Sequence, residues 1–331
     1  HIYGHSDMLE HRPGPNHPES PERLAAIEAR LRCETRYIFN TGQSATREQL
    51  ERVHPSHYID YLERFRDVGG VLDADTVLSE KSIEAAWLAA GCCIDATRSV
   101  CEGTAHSAIA LTRPPGHHAE RDKAMGFCLF SSVAIAAEAA LSEFGCQRVM
   151  IIDWDVHHGN GTQDAFWDRR DVFFTSIHQS PLYPGTGHPH ERGVDSGRGF
   201  TLNIPLPTGC GDELYYSIFQ DGISDAANRY KPDLIIVSAG FDAHRMDPLA
   251  QMNLSSDGFA ALCELTKMMA KSLCQGRVVL CLEGGYHIDA LAESVSNCGQ
   301  VLLGAVAAPM AQPKEDVSLI QAYIQNHLRE T

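Results

Sequence analysis

The chain has 331 residues, 44% of them hydrophobic and 21% charged, enough to bury a large core in one big domain or two smaller ones. Its 27 Lys and Arg stand against 43 Asp and Glu, a formal net charge of −16, which argues against a nucleic-acid binder, since that function needs a basic face. An acidic surface instead suits a cationic substrate such as a lysine-rich peptide or a polyamine, or serves solubility alone.

Eleven cysteines are scattered without a C-x-x-C, many of them in apolar runs. An odd count in a large chain argues against a disulfide framework and fits buried, reduced thiols in a cytoplasmic protein. Residues 1–20 are polar and rich in His and Pro, unlike a signal peptide, and no apolar run approaches the length that crosses a membrane.

Residues 1–19 read as a loop-rich entry. Ser20 suits an N-cap and Pro21 the first helical turn, after which Leu24, Ile27 and Leu31 mark one face of a helix. Arg23 lies in that first turn, where a cation is unfavourable; the plain reading is a surface arginine. Thr46-x-x-Gln49 is a capping-box pattern, and residues 70–80 form a loop holding Asp73, Asp75 and Thr76. An Ala-rich helix is expected over 82–102 and a short strand over 106–111. The two prolines that follow force a rigid turn, which delivers His117 and His118 at a strand's carboxyl end. Gly126 and Phe127 come next, then a helix over 129–144.

Val149 to Ile152 is a wholly apolar run, the pattern of a buried parallel strand. Further strands are expected at 172–177 and, alternating, at 200–206, separated by a Gly/Pro-rich loop over 180–199. A helix over 213–229, capped by Asp212, leads to an apolar strand at 234–238 that ends in Ala-Gly-Phe-Asp242. A helix over 256–273 leads to a third apolar strand at 278–282, ending in Glu-Gly-Gly-Tyr286; helices to residue 303 and over 317–329 close the chain. Strands alternate with helices and no linker interrupts them. The expectation is one α/β domain over 1–331, with a central parallel sheet of about eight strands and helices on both faces.

Chemistry gathers beyond the carboxyl ends of such strands. If the chain stays extended after residue 152, Asp153, Asp155 and His157 point to one face. Asp155, His157 and Asp242 together offer one imidazole and two carboxylates, three ligands that leave a coordination position open. Zinc is the first choice of metal, with Fe(II) open. One of His117 and His118 suits a general base, Asp153 is placed to orient a histidine and Asn160 the other, and Tyr286 after two glycines suits an oxyanion donor. Singly, each piece has a plain structural reading: inert histidine pairs, a turn, a cap. All of them falling at expected strand ends favours the catalytic one. No Ser or Cys sits in a nucleophile elbow, which disfavours covalent catalysis.

Arg113-Pro-Pro-Gly-His-His-Ala-Glu120, Gly126-Phe-Cys-Leu-Phe130, Asp153-Trp-Asp-Val-His-His-Gly-Asn-Gly-Thr-Gln163, Ser238-Ala-Gly-Phe-Asp-Ala243, Asp247-Pro248 and Leu282-Glu-Gly-Gly-Tyr286 together resemble the histone deacetylase family, its class II branch and bacterial homologues, from about residue 17 to 304. The resemblance implies an arginase-like fold and a zinc-dependent amidohydrolase sensitive to hydroxamates. By motif it implies zinc on Asp155, His157 and Asp242, with His118 as general base and acid and His117 as electrostatic partner. Tyr286 becomes the oxyanion donor, and Gly126, Phe127 and Tyr183 the tunnel walls, although the family more often carries Phe at the last position. Asp75 resembles its rim acid and Arg23 a residue lining the acetate exit. A structural potassium is implied at Asp153, Asp155, His157, Ser176 and Ile177, and a second monovalent site near Phe166, Arg169, Val172 and Phe200. Asn160, where class I members carry Asp, supports class II. Tyr286, where the weakly active class IIa branch has His, favours a competent enzyme. Leu249, where the vertebrate polyamine deacetylase has a Glu gatekeeper, leans toward acyl-lysine.

The expected substrate is therefore an acetylated lysine in a peptide or protein, with an acetylated small amine as the alternative and no role for nucleic acid or membrane; a homo-oligomer is compatible. An arginase-type ureohydrolase would need a two-metal cluster, and no Asp-x-Asp follows the 234–238 strand. A non-enzymatic acyl-lysine binding module is the remaining rival.

Overall fold

The computed structural model describes residues 1–313 and 316–329. Near the amino end, β1 (Ile2–Gly4) and β2 (Phe39–Thr41) flank α1 (Pro21–Leu31). The chain continues through α2 (Arg47–Glu51), α3 (Ser56–Glu63), a hairpin of β3 (Gly70–Val71) and β4 (Val77–Leu78), and the long α4 (Ser82–Cys101). Then come β5 (Ser107–Ala110), α5 (Ser132–Ser142), β6 (Val149–Asp153), α6 (Asn160–Ala165), β7 (Val172–Gln179) and β8 (Thr201–Leu206). The last third holds α7 (Asp212–Ser217), α8 (Ser224–Tyr230), β9 (Leu234–Ala239), α9 (Ser256–Leu273), β10 (Val278–Leu282), α10 (Ile288–Leu302) and α11 (Ser318–Arg329).

Eight strands form one parallel sheet in the order β2-β1-β5-β10-β9-β6-β7-β8. Every residue of β6, β7, β9 and β10 is buried. That is what a parallel strand between two helical layers requires, and it explains why β6, β9 and β10 read as nearly unbroken apolar runs. One layer is α4 and α5; the other is α9 with α10 and α1. The chain runs outward from β6 to β8 and returns to β9 on the other side of β6, and this reversal opens a crevice at the carboxyl edge. Register makes the crevice specific. Asp153 lies opposite Ser238, and Leu282 opposite Ala239, so the segments leaving β6, β9 and β10 emerge side by side.

Several sequence expectations need correction. The helix expected over 213–229 is three pieces, with a π-helical turn at Ile218–Ile223 between α7 and α8. Gly222 in that turn faces Ile324 of α11, whose Cδ1 would lie 2.6 Å from an added Cβ. Asp212 is inside α7 and does not cap it; its carboxylate accepts the Ser255 N–H and hydroxyl at 2.8 and 2.6 Å. β8 does not alternate. It is an edge strand buried at all but one residue because α11 covers it, with the Tyr323 hydroxyl donating to the Asn203 carbonyl at 2.8 Å. Ser20 stands at the N-cap position but makes no side-chain cap bond. The Thr46–Gln49 capping box is present in both directions. The strands β1, β3 and β4 lie in stretches read as loop, and β2 in one given no assignment. At two or three residues each, they are too short to show a period.

Arg23 is fully buried, not at the surface. It belongs to an ion cluster centred on Glu19, which accepts from Arg113 (2.6 and 2.8 Å) and Arg23 (3.0 Å) and faces His11 at 3.1 Å. Arg113 also donates to the Met8 and His11 carbonyls, and Arg23 to those of Glu283 and Gly285, at 2.5–2.8 Å. One buried carboxylate thereby joins the entry segment, α1, the proline turn and the loop after β10. No helix among the described residues is long and apolar enough to cross a membrane. All eleven cysteines are free.

Two predictions test this framework. Gly91 lies in the middle of α4 where the 43–45 loop crosses it: a Cβ there would sit 1.8 Å from the Gln43 carbonyl oxygen and 2.6 Å from the Ala45 nitrogen. Gly91→Ala should therefore lose ~1–3 kcal/mol through overpacking, read as a lower urea midpoint; an unchanged midpoint would show that the loop is not held there. Burial alone would raise the Glu19 carboxyl, but Arg113, His11 and Arg23 outweigh it and hold it well below the ordinary range. Its stabilisation is thus present above the unfolded glutamate value, about 4.3, and is lost as pH falls toward the lower folded one. Glu19→Gln should cost ~3–5 kcal/mol at neutral pH, because two arginines are left buried without it, and should flatten the acid limb of a stability–pH curve. Equal acid limbs in the two proteins would remove Glu19 as the cause.

Candidate active site

The segments after β6, β9 and β10 meet as the register requires. Asp155, His157 and Asp242 are all buried and offer ligand atoms within 4.8 Å of one another. His157 Nδ1 is 3.2 Å from Asp155 Oδ1 and 3.1 Å from Asp242 Oδ2. Backbone donors fix the acids: the Val156 N–H donates to Asp242, and the His157 and Gly284 N–H groups to Asp155, each at 2.9 Å. The strand ends at Asp153, so Asp155 and His157 sit on a turn and not on an extended continuation. They reach one site all the same, because these hydrogen bonds fold the turn back on itself.

The site carries a surplus of buried negative charge. Burial pushes Asp153 up to about 6, Glu283 and Asp247 up to about 7, and Asp242 upward as well. Burial opposes ionisation of Asp155 too, but His117 and then His157 hold it well below the ordinary range. Burial likewise opposes a charge on His157, yet its bonds to Asp155 and Asp242 push it up to about 10. Such a set holds protons where a divalent cation would replace them, and its one imidazole and two carboxylates are ligands that such a cation accepts.

The proline turn brings both histidines to this site. His117 Nδ1 is 3.0 Å from Asp153 Oδ2, and His118 Nδ1 is 2.8 Å from Asn160 Oδ1. The partners differ in charge, and so do the rings. Burial opposes a proton on His117, but Asp155 and Asp153 raise it well above its ordinary value. Burial, then His117 and His157, hold His118 well below. The backbone N–H groups of Gly116 and His117 donate to Glu283 at 2.6 and 3.2 Å, which pins the turn to the end of β10.

Aromatic rings pack beside the histidines and the acids. Phe127 meets Tyr286 edge-on at 5.8 Å between centroids, and Tyr183 meets His118 edge-on at 5.1 Å. Gly126 has φ +56°, and a Cβ there would strike His118 Cδ2 at 2.4 Å, so the rings pack this tightly only around a glycine. Tyr286 is positioned by Asp247, which accepts its N–H at 2.7 Å, and by Arg23, whose guanidinium lies 4.9 Å from its ring centroid. Asp75 accepts from the Thr76 hydroxyl at 3.0 Å, and that hydroxyl accepts the Phe127 N–H at 3.2 Å, so the acid is tied to the Phe127 backbone. Leu249 is half-buried and donates its N–H to Asp247 at 3.0 Å.

The residues named for monovalent cations fall into two places. Asp153 and Ser176 are register partners on β6 and β7, with Ile177 next to them. Phe166, Arg169, Val172 and Phe200 surround the amino end of β7; the Arg169 N–H donates to the Phe166 carbonyl at 3.1 Å, and the Phe174 N–H to that of Phe200 at 2.9 Å. Sequence reasoning assigned no part to Asp247, Glu283, Glu19 or Glu120, whose carboxylate accepts from the Asn160 amide at 2.8 Å. Glu283 did carry a signal: an acid directly after a wholly apolar strand, at the same edge as the others.

Comparison with known proteins identifies the family and the fold. Residues 17–302 match the family model described as histone deacetylase domain. A probable deacetylase of Archaeoglobus fulgidus is 40% identical over 293 residues, covering 87% of this chain and 81% of the relative. The histone deacetylase-like amidohydrolase of Pseudomonas aeruginosa is 42% identical over 275 residues, covering 82% and 72%. The crystal structure of the HDA15 HD domain superposes with a TM-score of 0.91 at 35% identity, covering 99% of this chain and 96% of that one. With its parallel sheet, its acid–imidazole cluster and its paired histidines at the sheet's carboxyl edge, the chain belongs to the histone deacetylase family.

Proposed function

We propose that the chain hydrolyses the amide of an N-acetyl-lysine, or a related acyl-lysine, in a peptide or protein. The observation that carries this reading is the meeting of Asp155, His157 and Asp242 with the His117–His118 pair beside the rings of Phe127, Tyr183 and Tyr286. Asp155, His157 and Asp242 would hold a divalent cation, zinc by the chemistry of the donors, with Fe(II) the alternative. When bound, the metal supplies Lewis-acid polarisation of the scissile carbonyl and of the attacking water.

The chain's own groups do the rest. His118 donates its Nδ1 hydrogen to Asn160 and presents Nε2 as a base. Its depressed affinity for protons keeps it neutral and ready to take one from the water as oxygen attacks the carbonyl carbon. His117, paired with Asp153, stays cationic and faces the charge that develops. Tyr286 donates its phenol hydrogen to the oxyanion. Collapse breaks the C–N bond, and His118 returns its proton to the leaving amine. Oxygens of Asp153, Asp155, His157, Ser176 and Ile177 are proposed to hold a structural potassium ion, and those of Phe166, Arg169, Val172 and Phe200 a second monovalent ion. Eleven unpaired thiols suit a reducing compartment such as the cytoplasm.

An acetylated polyamine is the second reading, favoured by the net charge of −16 and by Asp73 and Asp75 together in the hairpin loop. Leu249 offers no charge to a second amine. A parallel assay of acetyl-lysine peptide and acetylspermidine separates the two; turnover of the polyamine alone reverses the assignment.

Tyr286→Phe should lower kcat at least ~100-fold, the scale of one lost oxyanion donor, with KM little changed; near-normal turnover would reject the role given to the phenol. Asp242→Asn should abolish tight zinc uptake in equilibrium dialysis, from about one ion per chain in the parent. Full uptake by that variant would place the metal elsewhere, and uptake near two ions in the parent would revive a ureohydrolase.

A further inference from the structure

Three pairs of cysteines meet across elements: Cys93 with Cys281, Cys263 with Cys298, and Cys101 with Cys146. The first two are sealed in the core, each sulfur's residue at most 1% exposed. The third differs. Cys101 is the last residue of α4 and is partly exposed; Cys146 lies in the link between α5 and β6 and is 5% exposed. Their sulfurs are 3.7 Å apart, so closing to a disulfide at about 2.05 Å needs a shift smaller than one covalent bond per residue. Cys33, the one cysteine classed as exposed, donates to the Ala29 carbonyl at 3.4 Å and pairs with no other cysteine among the described residues. The pair sits at the amino edge of the sheet, three residues before β6 begins, whereas Asp153 ends that strand at the opposite edge.

We propose that Cys101 and Cys146 form a peroxide-oxidisable dithiol that closes to a reversible disulfide, tying the end of α4 to the entry of β6. The roles within the pair follow from their surroundings. The contact between the two sulfurs, in which either can donate, and the nearby Arg277 guanidinium favour the thiolate on Cys146 over that on Cys101. The Cys146 thiolate attacks a peroxide oxygen, the O–O bond breaks, and hydroxide leaves with a Cys146 sulfenic acid behind. The Cys101 sulfur then attacks the Cys146 sulfur; the S–O bond breaks, and the Cys101 proton leaves with the oxygen as water. In sum, two thiols lose two electrons and two protons, and one peroxide becomes two waters. A dithiol reductant reverses it by exchange. Disulfides of reducing compartments are usually transient in this way. The cross-link spans 45 positions of chain and restrains the unfolded state.

The test uses the purified, fully reduced full chain and near-stoichiometric hydrogen peroxide. Titration under denaturing conditions should lose two of the eleven thiols, the intact mass should fall by about 2 Da, and an unreduced peptide map should join Cys101 to Cys146; dithiothreitol should restore all three readings. Cys101→Ser should keep Cys146 from cross-linking and leave its sulfenic acid open to capture by dimedone, and Cys33→Ser should leave the two-thiol loss intact. A cross-link between any other pair, sulfinic acid at Cys101 without a cross-link, or an unchanged thiol count overturns the proposal.

Discussion

Buried negative charge is the constraint on which the rest of this molecule turns. Asp153, Asp155, Asp242 and Glu283 lie within the core at the carboxyl edge of the sheet, each at most 1% exposed, with Asp247 close behind. Leaving such groups ionised and unpaired would cost several kcal/mol each, so everything around them supplies hydrogen: backbone N–H groups of Val156, His157, Gly284, Gly116 and Tyr286, and the rings of His117 and His157. Those donors are themselves located by the register of β6, β9 and β10. The same surplus that burdens the fold would attract a cation, so on the proposed reading the stability problem and the means of catalysis are one feature.

The second layer of support is also ionic. Arg113 and Arg23 share Glu19, and Arg23 spends its remaining donors on the carbonyls of Glu283 and Gly285. A loop containing two adjacent glycines would otherwise place Tyr286 loosely, since glycine leaves the backbone many conformations. Bonding on both sides, Arg23 against the ring and Asp247 at the Tyr286 N–H, restores the precision that Tyr286 would need in its proposed role as oxyanion donor. The cluster thus reaches from the amino-terminal segment to Tyr286 without any of its members needing to touch a substrate.

What could be read before the structure follows a physical rule. The buried strands β6, β9 and β10 announce themselves because a parallel strand covered on both faces must be apolar throughout, and polar residues at their ends are then conspicuous. That logic singled out Asp155, His157, Asp242 and Tyr286, and it gave Asp153 one histidine of the pair and Asn160 the other without saying which; the structure sets His117 against Asp153 and His118 against Asn160. It failed where pairing comes from far along the chain. Arg23 looks like a surface residue of an amphipathic helix, and only the approach of residues 283–285, some 260 positions away, shows why it is buried. The short strands β1 and β2 carry no period, and their place in the sheet is set by β5. The π-helical turn after α7 depends on α11, a contact that no local pattern in 213–229 encodes.

Asp247 shows how these layers meet. Its carboxylate accepts the N–H groups of Leu249, Tyr286 and His287, at 3.0, 2.7 and 3.3 Å. The backbones of Leu249 and Tyr286 are therefore held by one acid. Burial pushes that acid up to about 7, with Asp242 adding to the effect. A cation among Asp155, His157 and Asp242 would draw the charge of Asp242 to itself and relieve the repulsion on Asp247, favouring the ionised form that accepts these three bonds most strongly. Occupancy of the acid–imidazole cluster by such an ion would thereby be coupled, through two carboxylates, to the order of the backbone at Leu249, Tyr286 and His287.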